Sequence, residues 1–263
     1  MPKRKDHYCS VMNMNRQTDK CKGSEIKNVD TIRGCPFNCE SCYAKKLSFI
    51  IRHFEVPIKL IAFKGKVHKD AWYRFGNSGD PCMDWAHSEE LVKKYKFINF
   101  FCVTKLQTLK GFTGFFNKLQ VSVDPFNAIH FKHTLKNVET ILKKYPQVKI
   151  VLRIRSVSTT NKEILSLLDT AVKFANKHNL PVMETRMRFN KKEAVEKYAL
   201  IEKNYERRKD MSTRPKYGQI FLENVEKYYD CDLYGKKCLN CSNCTLLWTD
   251  TQYKKKGEFI APR

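Results

Sequence analysis

Apolar positions along this 263-residue chain switch between two periods. Short stretches alternate or run apolar as strands do, and longer ones repeat at three and four residues as amphipathic helices do. Val29–Arg33 reads as a first strand, with a helical pattern from Ala44 to His53 behind it. Trp72–Ser78 reads as a second strand with a helix near Ser88–Tyr95, and Ile98–Lys105 as a third with a helix around Leu109–Asn117. Leu119–Asp124, closed by Pro125, predicts a fourth strand, followed by a helix over Thr134–Tyr145. Lys149–Val157 and the helix Asn161–His178 make a fifth unit. Pro181 opens a sixth strand that runs to Phe189, and Lys191–Arg208 reads as a charged amphipathic helix. The insertion Glu55–Lys69, with Pro57 and Gly65, predicts a loop or short hairpin.

Strand–helix units in series predict an α/β fold with a parallel sheet and right-handed crossovers. In such folds the chemistry sits on the loops at the C-terminal ends of the strands. The organisation expected is an N-terminal extension over residues 1–24, a β/α body over 25–210 and a cysteine-rich extension over 211–263. No internal repeat or low-complexity run interrupts it.

Composition narrows the setting. The net charge is +23, from 50 Lys and Arg against 27 Asp and Glu, and the positive charge is spread along the chain. A cationic surface gains affinity for phosphates by releasing counterions, so an anionic partner, nucleic acid or nucleotide, is expected. No apolar run is long enough to span a bilayer, and the first residues, MPKRKDHYCS, are polar. Eleven cysteines in such a chain fit a reducing cytoplasm and thiols committed to metal better than a set of disulfides.

Those cysteines are concentrated. Cys35, Cys39 and Cys42 stand at C-x₃-C-x₂-C spacing after Gly34 and before Tyr43. Three thiolates are one fewer than a closed four-thiolate zinc or iron–sulfur site needs. A [4Fe–4S] cube held by three cysteines leaves one iron open for a small molecule. A zinc loop with a fourth ligand from elsewhere, or scattered core cysteines, are the other readings. Cys231, Cys238, Cys241 and Cys244 form a second group, whose C-x₂-C-x₂-C run suits ferredoxin-like iron–sulfur ligation or zinc.

The first spacing resembles the signature of the radical S-adenosylmethionine (SAM) superfamily. The resemblance implies a partial (β/α)₆ barrel, a [4Fe–4S] cluster on Cys35, Cys39 and Cys42, and SAM chelated at the open iron. It also implies a reductant such as flavodoxin or ferredoxin and reductive cleavage of SAM to a 5′-deoxyadenosyl radical. Ser41 stands where the family usually carries an aromatic residue, which gives Tyr43 the adenine-packing role. Ser78-Gly79-Asp80-Pro81 looks like a variant of the family's Gly-Gly-Glu-Pro segment at the end of strand two, placing Ser78, Gly79 and Asp80 against SAM. A phage-encoded radical-SAM-like family with Ser-Gly-Asp at this place and a cysteine-rich C-terminus is similar to this chain.

Other polar positions fit a lumen. Ser122 and Asp124 share one face of strand four and could bind ribose hydroxyls. Arg153 and Arg155 share a face of strand five, and Glu184, Arg186 and Arg188 share a face of strand six. Guanidinium groups aimed into an open lumen can bind carboxylate or phosphate bidentately, so Arg153 and Arg155 are assigned to cofactor and Arg186 and Arg188 to substrate. Cys82 lies near enough to the expected site to be a candidate catalytic thiol or an incidental one, while Cys102 reads as core. The rival functions are a zinc-binding nucleic-acid module without catalysis, and a SAM-binding barrel without radical chemistry.

Overall fold

The computed structural model describes residues 8–10, 26–37, 39, 42, 55–64, 67–69, 71–187, 193–207, 213–216, 220–230 and 248. Its centre is a parallel sheet of seven strands: β1 (Ile26–Val29), β2 (Trp72–Phe75), β3 (Asn99–Thr104), β4 (Lys118–Val123), β5 (Lys149–Ser156), β6 (Val182–Arg186) and β7 (Tyr228–Asp230). They lie side by side in sequence order, and every neighbouring pair is parallel. β1 and β7 are the edges and do not pair with each other among the described residues.

That order has a consequence for the layers. When each new strand joins the same side of the last, right-handed crossovers place all the connecting helices on one face. The helices are α1 (Trp85–Lys94), α2 (Ala128–Lys144), α3 (Lys162–Lys177) and the short α4 (Glu193–Lys197). Asp84, Asn127 and Asn161 cap the first three, their side chains accepting from backbone N–H groups of the first turn, while lysines close each last turn.

Side-chain alternation then divides the sheet into two faces. Ile150, Leu152 and Ile154 of β5 join Leu119, Val121 and Val123 of β4 in the core beneath the helices. Phe131, Val138 and Ile141 of α2 and Ile164, Leu168 and Val172 of α3 seal that core. Each such side chain contributes about 2 kcal/mol by leaving water. The opposite face carries a smaller apolar cluster of Ile26, Trp72, Phe101, Val151, Met183 and Trp248. No helix among the described residues is long and apolar enough to cross a membrane.

Several expectations change. The helix expected over Leu109–Asn117 is a loop, in which Gly111 and Gly114 take positive φ and Phe112 and Phe116 pack on Trp85. The helix expected over Lys191–Arg208 is described as helix only over Glu193–Lys197. Ala199 at φ 46° turns the chain, and Ile201 N–H donates to Ser158 O, so backbone anchoring to the β5–α3 loop replaces the helical pattern. Tyr205–Arg207 then pairs antiparallel with Thr213–Pro215. Among the described residues the 55–69 insertion forms no hairpin of its own. Ile58–Lys59 pairs antiparallel with Ile32–Arg33, and Ala62–Lys64 pairs parallel with Tyr8–Ser10. The stretch 220–230, expected beyond the body, gives Leu222 and Val225 to the core and β7 to the sheet. The helix expected over Ala44–His53 lies outside the described residues.

Candidate functional site

A cavity of about 140 Å³, open to solvent, sits where the C-terminal ends of β1 to β5 meet. Cys35, Cys39 and Cys42 line one side, and Ser78, Gly79 and Asp80 line the turn after β2. Ser122, Arg153 and Arg155 line it from β4 and β5, as does Lys105 from the end of β3. Six expected residues outside the thiol loop therefore converge on the thiols.

The thiol loop and the Ser78-Gly79-Asp80 turn are locked together. Gly34 N–H donates to Ser78 O at 2.9 Å, and Gly34 and Gly79 bridge as parallel neighbours. A Cβ on Gly79 would stand 2.2 Å from Ile32 O and 2.9 Å from Gly34 O. Glycine is therefore needed here for the approach of the two backbones. Asp30 completes the lock, accepting at Oδ1 from the N–H groups of Asn77 (2.7 Å) and Ser78 (2.9 Å), and at Oδ2 from the Ser78 hydroxyl (2.5 Å).

Asp80 has a structural task as well. Its carboxylate caps the turn at Cys82 N–H (3.0 Å) and accepts from the Thr104 hydroxyl (2.7 Å) and Lys105 N–H (2.6 Å). It thus ties the end of β2 to the end of β3, and its bonds are made within the protein. Lys105 Nζ meets Asp124 Oδ2 at 2.8 Å in a largely buried pair. Burial pushes the Asp124 carboxyl up, but Lys105 and Arg155 outweigh it and hold the group below its ordinary value.

The arginines separate. Arg153 and Arg155 face the cavity, and Arg153 Nε donates to Thr185 Oγ1 at 3.0 Å. Arg155 Nε is buried and has no hydrogen-bond partner among the described residues. Burial lowers the Arg155 pKa, an effect that Asp124 opposes. Arg186 instead lies on the helix side. Met183 of β6 belongs to the cavity-side cluster and Val182 to the core, so Glu184 and Arg186 follow Val182 by alternation. Assigning Arg186 to a lumen-bound substrate is thereby corrected. Its neighbour Glu184 accepts from Phe221 N–H at 3.0 Å and from the Tyr228 hydroxyl, fastening the chain that leads into β7.

Among the thiols, burial pushes Cys35 up to about 12, with the Asp80 carboxylate adding to it. Burial also raises Cys39, against the opposing pull of Lys105. Cys82 is fully buried behind Asp80 and does not line the cavity, and burial holds its thiol well above the ordinary value. Such a thiol is core, as is Cys102. Tyr43, Arg188 and Cys231, Cys238, Cys241 and Cys244 lie outside the described residues.

Among the described residues no group of three or more His, Cys, Asp or Glu side chains is arranged so that it could hold a metal ion. The donor chemistry nonetheless suits a thiolate-ligated centre, since three thiols share one wall of a cavity whose other walls carry Lys105, Arg153 and Arg155. These cations offset the negative charge that thiolate ligation brings. Asp30, Lys105 and Thr104 escaped the sequence reading. Their only sequence signal is position, immediately after or at the end of strands that lead to the site.

No protein-family model, no curated protein and no solved structure matches this chain.

Proposed function

We propose that the cavity is the active site of a radical SAM enzyme on a partial (β/α)₆ barrel. The observation that carries this reading is the meeting, in one cavity at the C-terminal strand ends, of the C-x₃-C-x₂-C thiols, the Ser78–Asp80 turn and a pair of arginines. The sequential, one-directional strand order supports the partial barrel, because right-handed crossovers put the connecting helices on one face of the sheet.

Cys35, Cys39 and Cys42 would hold a [4Fe–4S] cluster, which when bound to SAM supplies the electron that splits it into methionine and a 5′-deoxyadenosyl radical. Arg155, whose Nε lacks a partner among the described residues, is placed to take a carboxylate or phosphate oxygen, and Arg153 stands beside it, steadied by Thr185. Ser122 offers a hydroxyl on the same wall, suited to a ribose. The Lys105–Asp124 pair sets a buried, compensated charge beside the arginines, and Asp124 also acts on Arg155. Asp80 and Gly79 shape the turn and expose its backbone to the cofactor. The substrate class is an anionic molecule, a nucleotide or nucleic acid, and a reductant such as flavodoxin or ferredoxin feeds the centre in the cytoplasm. Cys231, Cys238, Cys241 and Cys244 would hold a second iron–sulfur cluster or zinc.

The test is anaerobic purification with iron and sulfide analysis, followed by SAM and dithionite. Iron uptake and release of 5′-deoxyadenosine are expected. The Cys35/Cys39/Cys42→Ala variant should lose that product while keeping metal at the second cysteine group. Zinc alone, with no iron taken up on reconstitution, would overturn the reading.

A further inference from the structure

Asp30 is a buried carboxylate at the junction of β1 and the segment that leads to the thiols, and the function above gives it no chemical step. It makes no contact with the cavity, since it is absent from the lining. Three hydrogen bonds tie it to the turn after β2, from Asn77 N–H, Ser78 N–H and the Ser78 hydroxyl. Four residues join Asp30 to Cys35, and the last of them, Gly34, is bonded to the same turn at Ser78 O. Farther back, Thr31 Oγ1 shares a 2.7 Å hydrogen bond with Ser88 Oγ of α1, and Leu60 N–H donates to Thr31 O. The thiol loop is thus fixed at its root on two sides, and Asp30 supplies the side that faces the cofactor turn.

A carboxylate is an uncommon choice for this task. Burial raises the Asp30 pKa, and only the Ser78 and Asn77 donors and Arg33 pull it back. A neutral acceptor could tie two N–H groups with less desolvation cost, but it could not accept three bonds on two oxygens. Charge-assisted bonds are shorter and stronger, and here they set the spacing between two walls of one cavity.

We infer that Asp30 is a positioning residue, holding the Cys35–Cys42 loop at a set distance from the Ser78–Asp80 turn. Its purpose rests on the function proposed above, but the clamp itself can be measured on the metal-free chain.

Five described thiols make the measurement internal. Cys35, Cys39 and Cys42 are partly exposed on the loop, whereas Cys82 and Cys102 are fully buried and report opening of the core. The full-length, reduced, metal-free protein is pulsed with N-ethylmaleimide, and labelling at each cysteine is followed by peptide mass spectrometry. In Asp30→Ala the loop thiols should label about tenfold faster, the factor that 1.4 kcal/mol of lost hydrogen bonding gives, while Cys82 and Cys102 keep the native rate. Asp30→Asn, which retains one acceptor oxygen, should fall between. If loop and core thiols accelerate together, or none does, the inference is overturned. Should Asp30→Ala fail to fold, Ser78→Ala removes one of the three bonds and is read in the same way, with a smaller loop-specific increase expected. A loop-specific response in a protein that never takes up iron would leave the clamp standing and sink the cofactor reading alone.

Discussion

β5 and β6 lie side by side, and both carry arginine one residue from another polar or charged position, yet they offer those arginines to opposite faces. Arg153 and Arg155 of β5 look into the cavity, whereas Glu184 and Arg186 of β6 lie under the chain between α3 and β7. The register explains the difference: Arg153 pairs with Met183 and Arg155 with Thr185, so Glu184 and Arg186 stand beside Ile154 and Ser156. In-register neighbours of a parallel pair share a face. A motif of alternating charges therefore states that one face of a strand is polar, but not which face. On β5 the polar face lines the cavity; on β6 it serves the fold.

The largest effect should come from the β6 side. Glu184→Ala leaves Phe221 N–H and the Tyr228 hydroxyl without their acceptor, and a loss of about 3 kcal/mol in urea unfolding is expected. An unchanged midpoint would mean that Glu184 is not a structural staple. Arg155→Met should act the other way, weakening SAM binding about tenfold in calorimetry, as the loss of about 1.4 kcal/mol gives, with little change in unfolding. If Arg186→Met matched it in binding, the division between the strands would fail. Thr185→Val removes the partner of Arg153 Nε and should cost about 1 kcal/mol of stability, read by thermal melting.

The smallest effect is one of sign with pH. Asp124 sits below its ordinary 3.8, so its contribution is present above that pH and disappears as pH falls through the lower folded value. Glu184 is raised by burial above its ordinary 4.5, so its contribution is full below that value and is lost as pH rises through the folded one. Asp124→Asn should therefore flatten the acid loss of stability, and Glu184→Gln should steepen it, in urea midpoints measured from pH 3 to 7. Equal slopes for the two variants would erase the contrast.

The series of parallel strands and the core role of Cys102 were legible in the apolar pattern, while the first strand of the sheet runs over Ile26–Val29 rather than the expected Val29–Arg33. Apolar spacing misled where rings pack from a loop. Phe112 and Phe116 recur like a helical face, but they sit on Trp85 across turns that Gly111 and Gly114 permit. It misled again after Lys197, where Tyr198, Leu200 and Tyr205 are buried by long-range contact rather than along one helix. Within the site, cavity residues on β4 and β5 could be found because strand alternation is local. Asp30 could not, because its partners lie 47 and 48 residues away and no spacing rule reaches across that distance.

Trp248 joins the cluster on the cavity side of the sheet to a residue more than two hundred positions earlier, Ile26. Its ring packs with Ile26, Trp72, Phe101, Val151 and Met183 on the face opposite α1, α2 and α3, with 5.9 Å between its centroid and that of Phe101. A chain that lacks residue 248 keeps every described strand of the central sheet but loses one of the rings that pack this cluster. Its loss would uncover apolar surface on the same face of the sheet as the cation-lined cavity.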